Sequence, residues 1–113
     1  MRQETWSKLD REIRTRAADA LAGAGFAYQA RELRAALPID SEASALAVCH
    51  LATQLGGELR GELHAQARSL LMSVSLAAYC VYRGWHRQAA TYMATIKTVA
   101  RAMSRDSSSE VAS

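Results

Sequence analysis

Between Arg68 and Arg83 the chain runs through fourteen residues, Ser69 to Tyr82, without a charge. From Leu70 to Tyr82 apolar residues fall on nearly every side of a helical wheel, so the segment cannot rest on a surface with one face in water. It must be covered by the rest of the chain or by a partner. It is several residues short of the roughly 20 that a bilayer crossing needs, which directs that cover to protein and not to lipid. The start, Met1-Arg2-Gln3-Glu4-Thr5-Trp6, is followed by alternating charges in place of an apolar stretch. No secretory signal is read there, and a cytoplasmic location is expected.

The material for a core is limited. Half of the 113 residues are apolar, but 23 are alanine and seven are aromatic, which suits one small domain with a thin core. One proline, six glycines and 22% charged residues exclude a disordered, collagen-like or low-complexity chain. No segment alternates apolar and polar residues as a half-buried strand does, so an all-α fold is expected.

Six helices in three antiparallel hairpins follow from the periodicity. Trp6, Leu9, Ile13, Ala17 and Leu21 mark the first, capped near Thr5 or Ser7 and ended by Gly23-Ala24-Gly25. A second, about Phe26 to Leu37, stops at Pro38. Asp40 or Ser41 caps a third, which carries Leu46, Val48, Cys49, Leu51, Ala52 and Leu55 and finishes at Gly56-Gly57. The change from an amphipathic Glu58–Arg68 stretch to the apolar Leu70–Tyr82 stretch predicts a turn near Ser69 and hence a fourth and a fifth helix, the latter ended by Gly84. A sixth runs from about His86 to Ser104, with Lys97, Arg101 and Arg105 in a column suited to the negative end of the helix dipole. Residues 1–105 make one helical domain, and residues 106–113 are expected to form a mobile polar tail.

The turns share a pattern. Gly25, Gly56 and Gly84 are each followed five residues later by a small residue, Ala30, Gly61 and Ala89, the spacing of the tetratricopeptide repeat. The glycine turns the chain between paired helices and the small residue lets them approach. Three degenerate repeats would stack into a short solenoid whose concave side is lined by the first helix of each pair. The residues expected to face that groove are Leu46, His50, Leu71, Val74, Ala78, Val81 and Tyr82, a lining suited to an amphipathic helix.

Catalytic and cofactor signals are absent from the sequence. His50, His64 and His86 belong to no metal-binding spacing, there is no Cys-x-x-Cys, and no metal or other cofactor is expected. Cys49 and Cys80 read as reduced thiols, and the apolar neighbours of Cys80, Ala77, Ala78 and Val81, would raise a thiol pKa and not activate it. No nucleophile elbow or phosphate-binding glycine loop is present. The net charge of +3 comes from twelve arginines and two lysines spread along the chain. Lys97, Arg101 and Arg105, with Arg83 and Arg87 nearby, are the candidate nucleic-acid contacts, although no helix-turn-helix spacing accompanies them. A non-catalytic binding protein is the expectation. The alternatives are a small regulatory or nucleic-acid-binding protein using the basic last helix, and a homodimeric adaptor joined through the apolar segment.

The chain resembles the YscG-type chaperones of bacterial type III secretion, small tetratricopeptide-like proteins that hold the needle subunit. Ala20-Leu21-Ala22-Gly23-Ala24-Gly25 is similar to the family's apolar stretch ending in Gly-x-Gly. Leu76-Ala77-Ala78-Tyr79-Cys80-Val81-Tyr82-Arg83-Gly84 is similar to its Leu-Ala-x-Cys-x-aromatic segment before a glycine, and the distance from Gly57 to Cys80 is also similar. The resemblance implies a cytosolic chaperone that covers the amphipathic C-terminal helix of the needle subunit and prevents premature polymerisation. It further implies a small helical co-chaperone packed on the first hairpin, with Trp6, Leu9 and Ile13, or an exposed side of the second helix, as candidate contacts.

Overall fold

A computed structural model describes the backbone of residues 2–112 and the side chains of residues 4–106. It is all-α, as the periodicity predicts, with five long helices in place of six. The first, α1, spans residues 2–23: Arg2–Glu12 and Ala18–Gly23 are α-helical, and Ile13–Ala17 between them is a π-helical turn. The row Leu9, Ile13, Ala17, Leu21 explains that turn. A spacing of four exceeds the 3.6 residues of an α-helical turn, so in a regular helix the row would wind off the core. One wider turn with i→i+5 bonds takes up the surplus, and all four side chains are buried. Helix α1 begins at Arg2, ahead of the expected caps at Thr5 and Ser7.

The next helices are α2 (Ala27–Ala35), α3 (Glu42–Glu58), α4 (Ala65–Arg83) and α5 (His86–Ala112). Two connections are the same motif. After α1, the Phe26 N–H bonds to the Leu21 carbonyl (2.7 Å) and the Gly25 N–H to that of Ala22 (3.3 Å); after α4, Trp85 bonds to Cys80 (2.8 Å) and Gly84 to Val81 (3.1 Å). Each is a Schellman turn closed by a glycine at positive φ, +94° for Gly25 and +77° for Gly84, where a side chain would clash. Ser41 caps α3 through a reciprocal box with Ser44, with distances of 3.1 and 3.0 Å. That capping residue is one of the two expected.

The third connection departs from the repeat pattern. Gly56 and Gly57 lie inside α3, and the break falls at residues 59–64 instead of near Ser69. Leu59 turns extended and buries its side chain, Gly61 takes φ +89°, and Arg68 donates to the carbonyls of Leu59 (3.1 Å) and Gly61 (3.4 Å). With those bonds made, a short 3₁₀ turn, Glu62–His64, leads into one continuous α4. Ser69 stays helical, its carbonyl accepting from the Ser73 hydroxyl at 2.9 Å.

Helices α3, α4 and α5 form an antiparallel layer with α4 in the middle. Gly56 fits closely against α4: a methyl there would meet Leu71 Cβ at 3.5 Å. Helix α1 covers one side of this layer and runs parallel to α5, from a Thr5–His86 hydrogen bond of 3.1 Å to a cleft shared by Thr15, Arg16, Lys97 and Arg101. Asp10 pins the next connection to α1, accepting from Arg14 at 3.1 Å and from the Ile39 N–H at 3.0 Å.

The first helix thus packs on the last, and the chain closes on itself. An open solenoid of three hairpins would hold those elements apart, so the expected stacked-repeat architecture is corrected to a closed five-helix arrangement. Helix α5 also continues past the expected end at Ser104, through Ala112, with no glycine or proline to stop it. Residues 106–112 of the expected tail are helical, and Ser113 lies outside the described residues.

Candidate functional site: the open face of the α3–α4–α5 layer

Helix α4 is buried on three sides. Leu70, Val74, Ala77 and Val81 belong to the core beneath α1, Ser75 faces α3, and Cys80 is buried. The hydroxyls of Ser75 and Thr53 converge on the Cys49 carbonyl at 3.0 and 2.9 Å, tying α4 to α3 without an unpaired buried hydroxyl. The fourth side has no cover. Met72, Leu76 and Tyr79 lie there at 41%, 39% and 36% exposure, and Trp85 follows at the turn with 43%.

Positions 72, 76 and 79 follow the i, i+4, i+7 rhythm of one helical stripe. Helices α3 and α5 flank the stripe on either side, and the strip of α4 surface between them is the candidate trough. Leu46 and Cys49 of α3, and Tyr92 and Val99 of α5, are half-buried. Tyr92 and Val99 lie on the edge of α5 opposite Lys97 and Arg101, and therefore away from α1. From Ser69 to Arg83 the trough is about 21 Å long at 1.5 Å per residue.

One end of it is aromatic. Tyr79 packs edge-on against Trp85, with ring centroids 5.8 Å apart and planes at 79°, and Tyr82 lies 6.1 Å from Tyr79. The Arg83 guanidinium stands 5.1 Å over the Trp85 ring. These contacts hold large flat side chains in place at the surface, so little rotamer freedom is left to lose on docking. The other exposed large apolar residues, Tyr28 on α2 and Leu63 in the 3₁₀ turn, are outside the stripe, and isolated exposures of that kind are ordinary.

The expected groove residues are only partly brought to this face. Leu46 and Tyr82 are half-buried at its margin, and His50 is exposed on α3. Leu71, Val74, Ala78 and Val81 are corrected from groove to core: they are at most 3% exposed. The closed fold turns that side of α4 inward beneath α1. Leu9 and Ile13, expected to meet a co-chaperone, are fully buried for the same reason, and Trp6 is half-buried against the core. Met72, Leu76, Tyr79 and Trp85 were missed, although the all-round apolar character of Leu70–Tyr82 signals that α4 has one more face than a single chain of this size covers.

Chemistry elsewhere is sparse. No group of three or more His, Cys, Asp or Glu that could hold a metal occurs among the described residues. Cys49 and Cys80 are free thiols, and burial, then the nearby Cys49, pushes the Cys80 thiol above its ordinary pKa. That shift disfavours the thiolate a nucleophile needs. Lys97 and Arg101 line a cleft of about 260 Å³ with Thr15, Arg16, Asp19 and Ser104, on the side of the layer away from the stripe. No helix is long and apolar enough to cross a membrane among the described residues. No family model, curated protein or solved structure matches the chain.

Proposed function

We propose that this is a non-catalytic binding protein that holds an amphipathic helix along the open face of α4. The observation that carries the reading is the exposed apolar stripe Met72–Leu76–Tyr79, continued by Trp85, on a helix whose other sides are buried. A helix laid in that trough would place its own i, i+3/i+4, i+7 side chains against the stripe and complete the cover of α4. Aromatic anchors held in place at one end favour a defined register.

The sequence resemblance supplies the identity of the occupant: the C-terminal helix of a type III secretion needle subunit, held in the cytosol against premature polymerisation. A cytosolic holder of such a subunit needs an apolar trough and no catalytic group. A co-chaperone, in this reading, meets the exposed part of the first hairpin around Tyr28, since Leu9 and Ile13 are buried.

Co-expression with the needle subunit of the same genome tests the assignment. A soluble one-to-one complex is expected, lost in Leu76→Glu and Met72→Glu with the far-UV helical signal unchanged. Complexes that survive both substitutions would remove the α4 trough from the interface, and no complex with the wild-type chain would remove the needle subunit as its occupant.

A further inference from the structure

The net positive charge of this protein comes from the stretch that builds α4 and most of α5. From Leu63 to Arg105 there is no aspartate or glutamate, against six arginines and lysines: Arg68, Arg83, Arg87, Lys97, Arg101 and Arg105. The rest of the chain holds eight basic and eleven acidic residues, a net charge of −3. Helix α3 adds no charge to the layer between Ala43 and Gly57. All three helices of the open face therefore present neutral or cationic side chains over most of their length.

The two halves also differ in how their charges are used. On α1 and α2 three cations have carboxylate partners, Arg14 with Asp10, Arg16 with Glu12 and Arg34 with Asp19, while Lys8, Arg11 and Arg31 have no ion-pair partner among the described residues. On α4 and α5 no such pairing occurs among the described residues. Arg68 is taken up by two loop carbonyls and Arg83 stacks on Trp85, while Arg87, Lys97, Arg101 and Arg105 are exposed with no ion-pair partner among the described residues. Lys97, Arg101 and Arg105 repeat at i, i+4 on one edge of α5, where like charges oppose each other at a cost to the isolated helix. An excess of one sign around an apolar strip selects a partner of the other sign and speeds its arrival.

Building on the helix-holding reading, we infer that the occupant of the α4 trough is an acidic amphipathic helix of about fourteen residues. Its apolar seam covers Met72, Leu76 and Tyr79, and its flanking Asp and Glu residues meet Arg83 at the Trp85 end. Arg87 and the Lys97–Arg101–Arg105 column lie toward the far edge of α5 and contribute long-range attraction, not contact, which is strongest at low salt where screening is weakest. A second copy of this chain is disfavoured as the occupant, since it would bring an identical cationic face to the same place.

The experiment titrates the full chain with three synthetic helical peptides that share one leucine seam and differ only in carrying Glu, Gln or Lys on its flanks. At about 20 mM salt the Glu peptide is expected to bind at least about tenfold more tightly than the Lys peptide, with the gap closing at about 500 mM. Leu76→Gln should weaken all three, and Arg83→Glu should weaken the Glu peptide while strengthening the Lys peptide. Equal affinities for the three peptides would overturn the acidic preference and leave the helix-holding reading standing. No binding of any peptide would overturn both. Tighter binding of a single-stranded oligonucleotide, insensitive to Leu76→Gln, would reassign the positive field to nucleic acid and overturn the inference. Self-association of the free chain through the stripe would do the same in favour of a second copy.

Discussion

Leu70 and Leu76 sit on the same helix, less than two turns apart, and meet opposite surroundings. Leu70 is fully buried in the core, while Leu76 is 39% exposed on the open side of the layer. Nothing in their local sequence separates them, because α4 is apolar on both sides. The difference is made by α1, which runs along α5 and covers one side of the layer only. Apolar character therefore marks α4 as a helix to be covered on every side, and the position of α1 decides which side is left for a partner.

Identical truncations on the two sides should separate these roles. Leu70→Ala removes a fully buried side chain and should cost about 2–5 kcal/mol of unfolding free energy, read by urea denaturation. Gly84→Ala comes next, at about 1–2 kcal/mol, because the turn that ends α4 needs φ +77° there. Leu76→Ala should change stability by less than about 1 kcal/mol, since alanine is a good helix former and the lost contact is half-solvated, yet it should weaken partner binding. Gly56→Ala is the smallest effect and has the opposite sign. The added methyl meets only ordinary contacts of 3.5 Å and beyond, so the gain in helix propensity should raise stability by up to about 1 kcal/mol. A destabilising Gly56→Ala would mean that Gly56 acts as a turn after all, and a large stability loss in Leu76→Ala would place the stripe in the core.

The glycine pair Gly56 and Gly84 also shows where sequence reading ends. Helical periodicity and the glycines at positive φ are local signals, and they correctly give the all-α class, the turns at Gly25 and Gly84 and the Ser41 cap. The same spacing at Gly56 is misleading, because a glycine in a helix and a glycine ending one look alike until the packing against Leu71 is seen. The π turn in α1 was present in the four-residue spacing of Leu9, Ile13, Ala17 and Leu21, but only burial of the whole row shows that it is needed. Closure of the chain is a contact across 81 residues, from Thr5 to His86, which no local pattern carries. The packing of α1 on the layer puts Leu71, Val74, Ala78 and Val81, expected in a groove, in the core. The apolar surplus of α4 was legible; the side on which it remains open was not.

The central claim is that the open side of α4 is where a partner helix docks. The most direct measurement is a map of backbone amide shifts in the labelled chain on adding the acidic model peptide. Changes should cluster at Met72, Leu76, Tyr79 and Trp85, with Leu46, Tyr92 and Val99 at the margins. The amides of Leu70 and Val74, and those of Thr15, Arg16 and Arg101 around the cleft between α1 and α5, should change least. Shifts concentrated instead around that cleft, with the Met72–Trp85 stripe silent, would contradict the account.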